Sequence, residues 1–123
     1  MRSGSLVLVL LSCVLLTFAA CKSKEPTVLK VYVRSNNHIL VPDATVRIIG
    51  DISEGTPEYF EETTTNSGGV AFFNLDELFD SFDKEKNTAY FTLYAKDTTD
   101  LYTSKKIRTK MNLTTVESIT LSE

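Results

Sequence analysis

Thr63-Thr64-Thr65-Asn66-Ser67-Gly68-Gly69-Val70-Ala71-Phe72-Phe73-Asn74-Leu75 is the stretch whose reading decides the fold. Its threonines are β-branched and favour an extended chain. Asn66-Ser67-Gly68-Gly69 is the strongest turn signal in the sequence, because glycine tolerates the positive φ that a tight reversal demands. Val70 to Leu75 then reads as the return strand of a hairpin. In that reading Phe72, with Leu75 or Phe73, fills the interior.

Working outward from this turn, the pattern stays at period two. Val28 to Arg34 alternates, with Leu29, Val31 and Val33 on one face and Lys30, Tyr32 and Arg34 on the other, the signature of a half-buried strand. Ser35 to His38 reads as a turn. Pro42-Asp43 opens a second strand, with Ala44, Val46 and Ile48 inward. Gly50 to Pro57 is a polar loop, and a third strand covers Glu58 to Thr65. Downstream, Leu75, Leu78, Phe79 and Phe82 fall at helical spacing, one face of a short helical insert near 76–82. Asp76 and Glu77 occupy its first turn, where the helix dipole favours negative charge. Alternation resumes at Ala89–Lys96, with Phe91 and Leu93 inward, and continues in Leu101–Lys110 and Val116–Leu121. The expectation is all-β: an antiparallel sandwich of about seven strands with one short helical insert.

Composition bounds the function. A chain of 123 residues, 42% hydrophobic, suits one small globular domain. A formal charge of −3 argues against nucleic acid as a partner, which requires a basic stripe. One His and two Cys argue against both a zinc site built from several Cys and His and a disulfide framework. No metal or other cofactor is expected.

The N-terminus is set apart from the folded domain. Met1-Arg2 is a minimal positive start, and Leu6 to Ala20 is almost wholly apolar, short of the roughly 20 residues a membrane-spanning helix needs. The run ends in Phe18-Ala19-Ala20-Cys21, followed by polar Lys22-Ser23-Lys24-Glu25-Pro26. This resembles the lipobox of bacterial lipoproteins. The resemblance implies a signal peptide over 1–20, cleavage before Cys21 and lipid on the Cys21 thiol and freed amine. Several acyl chains on one residue would make membrane attachment effectively permanent. Cys13 has too little apolar length ahead of it to serve instead. Residues 21–27 then form a polar tether reaching at most roughly 25 Å, and 28–123 form the sandwich. The implied location is the bacterial cell envelope, at the outer membrane.

Val41-Pro42-Asp43-Ala44-Thr45-Val46-Arg47-Ile48, taken with Thr63 to Leu75, resembles the transthyretin-like, carboxypeptidase-regulatory-like sandwich family, a variant of the Ig-like two-sheet plan. The resemblance spans most of residues 28–121 and implies a fold, not a ligand. Hydroxyisourate hydrolases of this family end in Tyr-Arg-Gly-Ser. Here the end reads Thr114-Thr115-Val116-Glu117-Ser118-Ile119-Thr120-Leu121, without Arg or Gly. The single His38 lies in a turn, with Ser35 and Asp43 near it only in sequence. No catalytic residue is expected.

Charge is unevenly distributed. Carboxylates crowd the span from Asp51 to Glu85 against the single cation Lys84, whereas Lys96, Lys105, Lys106, Arg108 and Lys110 cluster later. Asp76, Asp80 and Asp83 share a helix face, yet no Asp-x-Asp-x-Asp-Gly calcium loop is present. The basic strand either meets an acidic partner or lipid headgroup, or guards a sheet edge. Leu78, Phe79 and Phe82 either cap the core or remain exposed as a partner surface.

Three function classes follow. The first is a non-catalytic lipoprotein whose sandwich is a structural or protein-binding module for an envelope partner. The second binds carbohydrate or another surface ligand, with Tyr32, Tyr59, Tyr90 or Tyr94 to stack on sugars but without the larger stacking face of a Trp. The third is an accessory lipoprotein of a secretion machine; type VI secretion lipoproteins are similar in pairing a transthyretin-like sandwich with an added helix.

Overall fold

Period-two burial organises the protein. In Val28–Arg34 (β1) every second side chain is fully buried, namely Leu29, Val31 and Val33. The computed structural model describes residues 25–83 and 85–121. Among these, six further strands follow: Thr45–Gly50 (β2), Phe60–Thr64 (β3), Val70–Asn74 (β4), Thr88–Lys96 (β5), Tyr102–Lys110 (β6) and Thr114–Thr120 (β7). A 3-10 turn at Ile52–Glu54 and a one-turn helix, Asp76–Asp80 (α1), complete the regular structure. The expected signal peptide over 1–20 and Cys21 lie outside the described residues, as does Lys84.

Two sheets face each other across one core. One is three-stranded, in the order β4-β1-β7, and the other four-stranded, in the order β3-β2-β5-β6. Leu29, Val31, Val33, Phe73 and Ile119 meet Val46, Ile48, Phe91, Leu93 and Ile107 between them. The protein is therefore an all-β sandwich with a short helical insert. One pair departs from antiparallel: β1 and β7 run parallel, Val28 opposite Thr114 and Arg34 opposite Thr120. The cause is topological. The chain leaves the four-stranded sheet at the end of β6 and crosses at Met111–Leu113, so β7 starts at the same end of the sandwich as β1.

The deciding stretch needs two corrections. Asn66 to Gly69 does reverse the chain: Asn66 Oδ1 accepts from the backbone N–H of Gly68 (2.9 Å) and Val70 (3.2 Å), and Gly69 takes φ 74°. A Cβ at Gly69 would lie 2.7 Å from Leu40 Cβ, so the turn is glycine-dependent for both conformation and space. However, the strands it joins lie in different sheets, so this is an arch between layers and not a hairpin. β2 and β1 supply the neighbours that β3 and β4 pair with. The second correction concerns the two phenylalanines. Phe73 is 1% exposed and Phe72 is 54% exposed. Register decides this: Phe73 lies opposite inward Leu29, and Phe72 opposite outward Lys30.

Buried threonines bolt the layers together. Thr65 Oγ1 accepts from the Ala44 N–H (2.9 Å) and donates to the Val41 carbonyl (2.7 Å), tying the arch to the entry of β2. Thr27, placed in the tether by its polarity, is 1% exposed. Its N–H donates to Asp76 Oδ1 at 2.7 Å, its carbonyl accepts from Leu75, and its hydroxyl accepts from the Asn112 N–H at 2.8 Å. The fold thus grips the chain one residue before β1. Asn74 Oδ1 accepts from the Asp76 N–H at 2.9 Å and starts α1, satisfying one of the donors a helix start leaves open.

Candidate binding surfaces

The residues singled out in the sequence separate into interior and surface. Leu78 (6% exposed) and Phe79 (2%) belong to the core, and Phe82 packs half-buried beside Phe79 with ring centroids 4.9 Å apart. Together they close the end of the sandwich where β1 begins. Asp76, Asp80 and Asp83 line a depression beside them with Thr27 and Asn112. Asp76 is committed to the Thr27 N–H. Among the described residues, no three His, Cys, Asp or Glu side chains converge as a metal ligand set.

Strand alternation divides the basic segment. Lys105 shares the inward side of β6 with Ile107, but at an open edge. Its ammonium crosses the seam between the sheets to the Glu117 carboxylate and the Ser118 carbonyl of β7, both at 3.0 Å. It closes the seam and occupies an edge acceptor of β7, as edge lysines do when they block strand addition. Lys106 and Arg108 point outward, Lys106 within 3.6 Å of Asp51. The Asp51 carboxyl is held below its usual range, chiefly by hydrogen bonds from Ser53, with Lys106 adding to this. Arg108 makes no ion pair with a described residue.

His38 sits at φ 64° in the tight turn after β1, exposed at the surface. Ser35 Oγ accepts from the backbone N–H groups of Asn37 and Ile39, so that hydroxyl serves the turn. The tyrosines disperse. Tyr59 packs edge-on against Phe91, 6.0 Å between centroids, and donates to Glu61 at 2.6 Å. Burial, reinforced by Glu61, pushes its hydroxyl pKa well above the ordinary value. Tyr32 lies on the three-stranded sheet, and Tyr90 and Tyr94 lie on the outer face of the four-stranded one.

The two outer faces hold groupings of residues that the sequence reading did not make. On the three-stranded sheet, one register row places Phe72, Lys30 and Val116 side by side. Phe72 is 54% and Val116 57% exposed, flanked by half-buried Val28, Val70 and Tyr32. Lys30 Nζ stands 5.1 Å from the Tyr32 ring centre and 5.7 Å from that of Phe72. No outward side chain of these three strands is acidic, since Glu117 turns inward to Lys105. On the four-stranded sheet, Tyr94 and exposed Tyr102 flank a shallow groove with Thr45, Arg47 and Lys96. Aromatic residues at successive outward positions of one strand would have betrayed these faces in sequence. Single aromatics on different strands do so only once the register is known.

Comparison of the chain with protein-family models and with curated proteins finds no match to either.

Proposed function

We propose that this chain is a non-catalytic envelope lipoprotein, anchored through lipid on Cys21 at the outer membrane, whose sandwich docks a protein partner. The observation that carries the docking is the acid-free row Phe72–Lys30–Val116. Two large apolar groups more than half exposed, joined by half-buried valines and a tyrosine, form a contiguous patch of the kind that marks interaction sites. Among the described residues Lys30 and Arg34 are the only charges on it, so the partner offers an apolar centre with carboxylates placed to meet them. The Phe18-Ala19-Ala20-Cys21 motif supports the anchor. Pro26 is exposed and Thr27 is fixed in the fold, so a tether of five residues, 22–26, would hold the domain close to the bilayer.

Anchoring and docking are tested separately. Cys21→Ser abolishes metabolic palmitate labelling and releases the protein from the membrane fraction, and Cys13→Ser changes neither. A Cys21→Ser protein that is still labelled and membrane-bound refutes the anchor. For docking, a photo-crosslinking residue at position 116 gives one discrete envelope adduct that Phe72→Glu removes. Outward positions of this kind shift stability by only about 0.5 kcal/mol, so the loss reports the surface and not the fold. Equal adducts from position 92, on the opposite sheet, refute this face as the docking site.

A further inference from the structure

We propose that the outer face of the four-stranded sheet holds a second site, a shallow groove that takes one ring of a neutral carbohydrate between Tyr94 and Tyr102. The site goes beyond the docking reading and lies on the opposite side of the sandwich, so either can fail without the other. Tyr94 faces Ser104 across β5 and β6, and Lys96 faces Tyr102, which puts the two tyrosines on one diagonal. Such diagonal neighbours lie within reach of each other's rings. Arg47 is the β2 partner of Tyr94, and Thr45 that of Lys96, so the groove spans three central and edge strands. Its volume is about 300 Å3, at the small end of ligand sites. Tyr102 is 68% exposed and already presents its ring.

The chemistry of the rim selects the ligand. A sugar ring offers an apolar C–H face to an aromatic ring, while its hydroxyls need donors and acceptors together. Arg47 donates from Nε and Nη2 to Glu62 Oε2 at 3.0 and 2.8 Å, and Lys96 pairs with Asp100 at 2.8 Å. Each cation therefore comes with an acceptor, and Thr45 and the tyrosine hydroxyls both donate and accept. A wholly apolar ligand would strip water from these groups without replacing its hydrogen bonds. An anion would have to compete with Glu62 and Asp100 for cations already neutralised. A neutral polyhydroxylated ring meets neither obstacle. The groove is built on strands and not loops, which keeps its geometry preorganised.

The test is a titration of the isotope-labelled full chain, in a sugar-free zwitterionic detergent, followed by amide chemical shifts. Cellohexaose, laminarihexaose and mannohexaose are the neutral probes, and hexagalacturonate is the acidic one. At least one neutral oligosaccharide is expected to give saturable shifts at Thr45, Arg47, Tyr94 and Tyr102, unchanged by added salt. Tyr102→Ala weakens that binding about tenfold, the scale of one lost aromatic contact, whereas Tyr102→Phe retains most of it. Because Tyr102 is exposed, its removal leaves the spectrum otherwise intact. The proposal is overturned if no neutral probe shifts these amides at millimolar concentration. It is equally overturned if only the galacturonate binds, with salt-sensitive affinity, or if Tyr102→Ala binds as the native chain does.

Discussion

Phe73→Ala is expected to destabilise the domain by about 3–5 kcal/mol, the usual cost of emptying a buried aromatic site, while Phe72→Ala changes stability by about 1 kcal/mol or less. The two residues are adjacent, identical in type and in one strand, so the contrast isolates their direction. Phe73 is 1% exposed and belongs to the core with Leu29 and Phe91. Its removal leaves a cavity in the close-packed interior between two hydrogen-bonded sheets, and such a site collapses poorly. Phe72 loses only outward contacts, chiefly with the Lys30 ammonium, worth about 0.5–1 kcal/mol at an exposed site. For a domain of this size each kcal/mol moves the thermal midpoint by roughly 4–8 °C, so thermal unfolding followed by circular dichroism separates the two variants readily. A larger effect for Phe72 would require β4 to be shifted by one residue against β1, exchanging its two faces.

That pair also shows where sequence reading stops. Sequence identified β3 from its β-branched threonines, β4 from the turn before it and the other strands from alternation, which correctly placed Leu29, Val31, Val33, Val46, Ile48, Phe91 and Leu93 inside. It could not orient β4, because Phe72-Phe73 offers an equally apolar side chain to either face and only the partner strand decides. The same limit explains the arch. A glycine turn after a threonine-rich run reads as a hairpin locally, but sheet membership depends on whether β1 and β2 lie beside the two strands. Thr27 was missed for a different reason. Its role is to satisfy Asp76 and Asn112, residues 49 and 85 positions away, and nothing local signals that.

The surfaces were legible to the degree that they depend on one strand. Lys106 and Arg108 alternate outward as β6 requires, whereas Lys105 leaves the basic group to cross the seam. Both candidate binding faces are assembled from side chains on three strands. Phe72, Lys30 and Val116 are far apart in the chain, and only the parallel β1–β7 pairing brings Val116 to the row. Tyr102 similarly becomes a groove wall because it lies opposite Lys96. An outward aromatic on a single strand is ordinary; its grouping with side chains of neighbouring strands is a property of register.

The helical insert provides the second large effect. Replacing Leu78 and Phe79 together with Ser is expected to lower stability by several kcal/mol, comparable with the whole roughly 5–15 kcal/mol of a small domain. The double variant should therefore be largely unfolded near room temperature. Both side chains are more than nine-tenths buried, and each serine would bring a hydroxyl into an apolar site besides leaving a cavity. The insert also fixes the chain on either side of it: Leu75 donates to the Thr27 carbonyl, Asp76 accepts from the Thr27 N–H, and Met111 donates to the Asn87 carbonyl nearby. Losing its apolar face should loosen the start of β1 along with α1. In the milder single variant Leu78→Ala, which stays folded, hydrogen exchange is faster at Thr27, Val28 and Asn112 before the rest of the sheet opens. Phe82→Ser, at the half-buried rim, costs far less and serves as the control. A double variant that kept its unfolding midpoint, yet lost an envelope adduct, would overturn the capping role and make the insert a docking surface.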